Sequence, residues 1–384
     1  MNATNSTSGN FALSPAARAA RPIAEAVQLI AAVGDKVSFL LQGHTGSGKT
    51  HTLKTLAKMF PDHVPCYFDC TVKDLGDISI PDLQTPTVEG GIPFVSFRPN
   101  GELGLQHGKP IILMIDEFMK AMPPVRNALL RVLLEREVGE YKLPEGSIVY
   151  ATSNLSGEGM GDVLLPHQRD RLCVLQTAKP TAMEWIEDYA IPNNLHPMTI
   201  AFAKETPYIF QSFEEVGNPD DNPYIYHPRQ QRENFVTHRS MEKVSDILYA
   251  FDDAKGAIGM PIIESALIGK IGAPAAKDLV TYFKLYAQLP AWDDIMSDPM
   301  RAKVPESETA SALLAFKALT LVSKTMLTPW VTYMERCSKE VQGLFGNGVR
   351  SSSYPVDKQK LVFTNPKMVK WIENNQHLFT ADLV

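Results

Sequence analysis

The stretch that most constrains this chain is Gly43-His44-Thr45-Gly46-Ser47-Gly48-Lys49-Thr50, which directly follows the apolar run Val37 to Gln42 and leads into Leu53, Leu56, Ala57 and Phe60 at helical spacing. Strand, glycine-rich loop and helix in that order fit few folds. The glycines of a G-x-x-x-x-G-K-[ST] loop let successive backbone N–H groups turn toward one anion, in conformations that side chains resist. Lys49 then reaches the β and γ phosphates of a nucleotide, and Thr50 opens the helix with a hydroxyl suited to Mg²⁺. The helix N-terminus adds its partial positive charge beneath the phosphates. His51 follows in the first helical turn and belongs to the same ATP-contacting set.

A second motif completes the chemistry. Ile111-Ile112-Leu113-Met114-Ile115 is apolar on both faces, as a central parallel strand requires, and it delivers Asp116-Glu117 at its C-terminal end. In this Walker B pattern Asp116 is expected to hold Mg²⁺ through water, with Thr50 as the other metal-facing oxygen. Glu117 is expected to orient the water that attacks the γ-phosphate. Val64 to Cys70 predicts another buried strand, and Ile148 to Thr152 a further one that ends in Ser153-Asn154. That strand would bring an amide to the same sheet edge. Ala16 to Val33 predicts an amphipathic helix with Ile23, Ala26, Val27, Ile30 and Ala31 on one face, and Pro124 to Arg136 another with Val125, Leu129, Val132 and Leu133 inward. Val138 to Leu143 reads as a short hairpin. Residues 71–109 are the least regular part, with four prolines, Gly90-Gly91 and the apolar patch Ile92, Phe94, Val95 and Phe97. An insertion is expected there, around residues 77–100.

The chain of 384 residues is 44% hydrophobic and 21% charged, an ordinary globular composition for two or three domains. A net charge of -6 offers no global basic field, which disfavours nucleic acid as a partner and favours protein or small molecule. Four cysteines, without metal-type spacing, read as core or near-core thiols in a reducing compartment. The first dozen residues are polar and predict a disordered tail. No stretch has the form of a signal peptide, and the most apolar helical run, Ser311 to Thr328, is broken by Lys317 and Lys324, so no membrane span and a cytoplasmic location are expected.

With these motifs in place, the sequence resembles the AAA+ ATPases, and within them the MoxR-like branch that carries an insertion in the second helix. The matching segments are GHTGSGKT, IILMIDEF with the following MKAMPPVRNALLRVLLEREV, and VYATSN with the later LPHQRDRLCVL. The segments DLGD at Asp74 to Asp77 and FRPNGEL before the Walker B strand match as well. The likeness covers about residues 35 to 180. It implies a P-loop NTPase α/β fold, with a five-stranded parallel sheet and helices on both faces, in which the Asn154 strand lies between the phosphate-loop strand and the Walker B strand. Asn154 would then be sensor 1. It also implies a homo-oligomeric ring, usually a hexamer, in which an arginine from the neighbouring subunit completes each site. Arg171 aligns best with that arginine and Arg169 is the second candidate, and a planar guanidinium suits the charge spread over a transferring phosphoryl group. Arg239 stands where AAA+ lids carry the sensor 2 arginine of a Ser-Pro-Arg, although His238 replaces the proline.

Beyond Pro180 the likeness thins. Met241, Val244 and Leu248 share a helical face, and Gly272 to Leu289, Ser307 to Leu327, Trp330 to Phe345 and Pro366 to Gln376 read as amphipathic helices. The expected organisation is a tail over residues 1–12, a nucleotide-binding domain over 13–180, a helical lid over 181–290 and a helical extension over 291–384. The function expected is Mg²⁺-dependent ATP hydrolysis by a chaperone-like ring that remodels a protein substrate, with a von Willebrand factor A domain protein as the adaptor suggested by the resemblance. A DNA-directed motor or restriction-type translocase is the alternative, and a nucleotide-gated scaffold that barely hydrolyses ATP a further one.

Overall fold

The computed structural model describes residues 20–82, 87–89, 92–155, 164, 166–230, 232–286 and 289–376. The tail expected over residues 1–12 lies outside them. Among the described residues the helix expected from Ala16 starts only at Ile23, because Arg21 bridges to Thr177 and Pro22 is extended with ψ 141°. The chain divides into two compact units, Met1–Lys179 and Pro180–Val384.

In the first unit the described strands are, in chain order, β1 (Phe39–Gly43), β2 (Val64–Asp69), β3 (Ser79–Pro81), β4 (Thr87–Glu89), β5 (Ile92–Phe94), β6 (Phe97–Pro99), β7 (Ile111–Asp116), β8 (Glu137–Val138), β9 (Tyr141–Lys142), β10 (Ile148–Asn154) and β11 (Cys173–Gln176). Five of them form a parallel sheet in the order β11-β1-β10-β7-β2. The strands are apolar almost throughout because both of their faces are covered. Leu40, Leu113, Ile115, Val149 and Ala151 join a core with Val125, Leu129, Val132 and Leu133 of the helix Pro123–Glu135. Phe39, Leu41, Ile112, Met114, Ile148 and Tyr150, alternating with them, meet Ala26, Val27 and Ile30 of the helix Ile23–Val33 and Leu56 of the helix His51–Met59. This three-layer sandwich with its central β10 is the P-loop NTPase fold, as the sequence predicts.

Polar ties fix the layers. The buried Tyr150 hydroxyl lies 2.9 Å from Thr52 Oγ1, joining the middle strand to the helix after the phosphate loop. Arg136 ends the helix Pro123–Glu135 in a left-handed conformation, φ 58°, and its guanidinium donates to Leu133 O at 2.7 Å and Gly34 O at 2.9 Å. Burial holds its pKa down at about 10. The insertion is a two-part arm in which β3 pairs antiparallel with β6, and β4 pairs antiparallel with β5 beyond them.

The second unit is helical from Ala182 onward, and a single apolar cluster runs through it from Ala182 to Trp371. Met241, Val244 and Leu248 are buried along the helix His238–Asp253, and Trp330, Tyr333 and Trp371 are core residues, as expected. Helix boundaries differ from expectation. The stretch Trp330 to Phe345 is two helices, Leu327–Met334 and Lys339–Arg350, because Ser338 caps the second by accepting from Val341 N. The helix expected over Ser307 to Leu327 is Glu308–Thr320, and Val356–Thr364 is a helix the periodicity does not announce. Cys66, Cys70 and Cys337 are buried and Cys173 is half-buried, all as free thiols. Among the described residues no helix is long and apolar enough to cross a membrane.

Candidate functional site

Three adjacent parallel strands end at one edge, and each brings a polar group there. β1 runs into the phosphate loop, β10 ends in Asn154 and β7 ends in Asp116. The register places Gly43 directly beside Asn154. Gly46 and Gly48 take φ values of 73° and 92°, the left-handed region that side chains resist. At Gly43 a Cβ would lie 2.1 Å from Thr177 Oγ1, so only glycine fits there.

Lys49, although almost fully buried, has its ammonium fully engaged. Nζ donates to Gly43 O and His44 O, both at 2.8 Å, and to Asn154 Oδ1 at 2.9 Å. Asn154 Nδ2 in turn donates to Glu117 Oε1 at 3.1 Å, and Lys120 Nζ pairs with the same Oε1 at 3.1 Å. Phosphate-loop lysine, strand-end amide and acidic residue therefore form one hydrogen-bonded chain. Glu117 holds its place with φ 53°, a left-handed conformation of a non-glycine residue that costs about 1 to 3 kcal/mol and is typical of functional positions.

Asp116 is held at four points. Its Oδ2 accepts from Tyr67 OH at 2.9 Å and Thr50 Oγ1 at 3.4 Å. Its Oδ1 accepts from Glu117 N at 3.1 Å and from Thr152 Oγ1. Burial, reinforced by the hydrogen bond to Asp116, pushes the Tyr67 phenol well above its usual range, so it stays a donor. Sequence reasoning missed Tyr67, Thr152 and Lys120. A hydroxyl near the end of an otherwise apolar strand was the available signal for the first two, and a lysine three residues past the acidic pair for the third.

The residues fit the groups such a loop implies. Ser47 Oγ is buried in the loop with no hydrogen-bond partner among the described residues, an acceptor or donor left for a ligand. A Cβ at Gly48 would meet nothing within 4 Å, so the loop is open above that position. Thr50 and Asp116 offer hard oxygen donors side by side, the type Mg²⁺ takes. His44 is buried within the loop, Thr45 is half-buried, and His51 is exposed at the start of the helix.

The expected arginines are distributed differently. Arg169 and Arg171 are both exposed in the segment before β11, and Arg169 Nε donates to Leu164 O at 3.2 Å. The Arg171 backbone N–H donates to Gln168 O at 3.3 Å, and its guanidinium has no hydrogen bond or ion pair among the described residues. Arg239 is exposed in the first turn of the helix His238–Asp253, in the second unit. Here the capping box of Thr237 and Ser240 starts the helix, doing locally what a proline would. His238 is buried, stacked on Phe210 with ring centroids 4.0 Å apart, and its Nε2 lies 2.9 Å from Pro180 O, the place of a structural residue.

No protein-family model and no curated protein matches the chain. Among solved structures, a candidate ATPase of Cytophaga hutchinsonii aligns over 66% of this chain and 82% of its own, with 16% identity and a TM-score of 0.31. A point-substituted RuvB of Thermotoga maritima aligns over 68% and 67%, with 13% identity and a TM-score of 0.33. The assignment of the fold rests on strand order and the phosphate loop, not on these likenesses.

Proposed function

We propose that this chain is an ATPase of the AAA+ type, working as a homo-oligomeric ring that couples ATP hydrolysis to the remodelling of a protein partner. The observation that carries the hydrolytic part is the chain Lys49–Asn154–Glu117, which joins the three strand ends where triphosphate, water and catalytic carboxylate must meet. Arriving phosphates replace the carbonyl oxygens of Gly43 and His44 as partners of Lys49 Nζ. Asn154 and Glu117 then orient the attacking water, and Glu117 accepts its proton. The Thr50 hydroxyl and the Asp116 carboxylate would hold Mg²⁺, which would supply charge neutralisation on the phosphate oxygens. The ring, its hexameric number, the trans role of Arg171 or Arg169, the sensor 2 role of Arg239 and the MoxR-like partnership with a von Willebrand factor A domain protein rest on the sequence resemblance. The unpartnered, exposed Arg171 is compatible with a contact made by another subunit.

Two substitutions separate binding from hydrolysis. Lys49→Ala removes the phosphate partner and is expected to abolish ATP binding. Glu117→Gln leaves the loop intact and is expected to hold ATP unhydrolysed. Filter binding alongside phosphate release distinguishes them, and wild-type turnover by Glu117→Gln would remove Glu117 from the catalytic role.

A further inference from the structure

In the second unit, the chain from Thr206 to Thr237 joins two helices with almost no regular structure, yet it is strongly cross-braced. Asn222, 1% exposed, donates from Nδ2 to Tyr208 O at 2.7 Å and to Gln211 Oε1 at 3.0 Å, and its Oδ1 accepts from Tyr224 N at 3.1 Å. Arg232 donates to Asn222 O at 2.8 Å and also to Ile225 O and Pro219 O. Irregular connections of this length inside compact units commonly carry function. This one borders an open surface pocket of about 450 Å³ whose lining includes Tyr208, Tyr224, Glu215, Asp221 and Gly217.

The chemistry of the lining is selective. Tyr208 and Tyr224 are stacked, with ring planes 11° apart and centroids 5.7 Å apart, and the Tyr224 hydroxyl is anchored on Asp278. Glu215 and Asp221 supply two carboxylates, and among the described residues no lysine, arginine or histidine lines the pocket. Glu215 accepts from Ser212 N at 3.1 Å through Oε2, and Asp221 from Asn218 Nδ2 at 3.4 Å through Oδ1. The other oxygen of each has no partner among the described residues. Aromatic faces beside open carboxylate oxygens recognise an organic cation, through cation–π contact and charge-assisted hydrogen bonds. A metal ion is the poorer fit. The described residues hold no group of three or more His, Cys, Asp or Glu able to ligate one, and aromatic faces add nothing to a hard cation.

We propose that this pocket binds the guanidinium of an arginine side chain presented by a protein segment. A planar guanidinium stacks on a tyrosine face while its N–H fork reaches a carboxylate, which a compact ammonium does less well. Recognition of the cation here does not depend on nucleotide binding or hydrolysis. The test uses the full chain carrying ¹³C-labelled tyrosine, titrated with N-acetyl-arginine-amide, its citrulline and lysine counterparts, free arginine and spermidine. The arginine amide is expected to shift the Tyr208 and Tyr224 resonances saturably, the lysine amide more weakly, and the neutral citrulline amide not at all. Free arginine is expected to bind more weakly than its capped form, because its own carboxylate is repelled. Glu215→Gln and Asp221→Asn are each expected to weaken binding about tenfold, the loss of one hydrogen bond to a charged group. A Cβ at Gly217 meets nothing within 4 Å, so Gly217→Leu should fold normally while obstructing the pocket. It is expected to remove binding at an unchanged melting temperature. Equal shifts with citrulline amide, tighter binding of spermidine or free arginine, or full binding by Gly217→Leu would each overturn the proposal.

Discussion

At the scale of single residues, the carboxylate of Asp116 is oriented by side chains whose contributions can be tested one at a time. Tyr67 reaches it from the edge strand, with a ring that is 43% exposed and a hydroxyl donating at 2.9 Å. Replacing Tyr67 by Phe removes one hydrogen bond and little packing. The Mg²⁺ concentration needed for half-maximal ATP binding, followed with a fluorescent ATP analogue, is expected to rise roughly three- to tenfold, the worth of one such bond. An unchanged Mg²⁺ dependence would leave Tyr67 with no part in orienting Asp116. Lys49, Asp116, Glu117 and Asn154 could be found from sequence because each lies at the end of a strand or in a loop whose glycine spacing has a mechanical reason. Tyr67 and Thr152 could not, since their roles arise from the pairing of β2, β7 and β10, which only the folded register brings together.

Among the elements, the sheet was the most legible part. Strands covered on both faces must be apolar runs, and each such run in the first unit became a strand of the central sheet. The helical unit was less so. A break such as the one between Met334 and Lys339 depends on the single cap Ser338, inside a stretch whose apolar period continues on both sides. The braces of Asn222 and Arg232 follow no local pattern at all. Arg136 tests how far one element end is secured by a distant one. Arg136→Ala leaves the carbonyls of Leu133 and Gly34 without their charged donor, and a loss of about 2 to 3 kcal/mol is expected in denaturant melts. A loss below 0.5 kcal/mol, within the range of ordinary surface changes, would show that water replaces the guanidinium there. The β3–β6 arm carries Phe97 with 44% of its surface exposed, opposite Pro81. Phe97→Ala is therefore expected to leave the melting temperature and basal ATPase near those of the parent while weakening stimulation by a protein partner. A buried phenylalanine would cost about 3 to 5 kcal/mol instead, and a melt shifted that far would return the ring to the core.

For the whole molecule, the proposed ring makes activity a property of assemblies. If Arg171 acts across a subunit boundary, Arg171→Ala and Glu117→Gln proteins, each inactive alone, should regain some hydrolysis on mixing. Some interfaces then join an intact Arg171 to an intact Glu117. Phosphate release across a series of mixing ratios measures this, and no recovery despite verified co-assembly would give Arg171 a role within its own subunit.

The continuous core of the helical unit has a bearing on how the protein is made. Trp185, close to the start of that unit, and Trp371, in its last described helix, belong to one apolar cluster although nearly half the chain separates them. The nucleotide-binding unit has all of its sheet strands once Gln176 has left the ribosome, and can settle during synthesis. The helical unit has to wait. At ordinary translation rates the delay is on the order of tens of seconds, during which its early helices hold out apolar faces whose partners do not yet exist. Newborn chains of this protein are thus most exposed to aggregation late in translation, in the half of the molecule that carries no nucleotide loop.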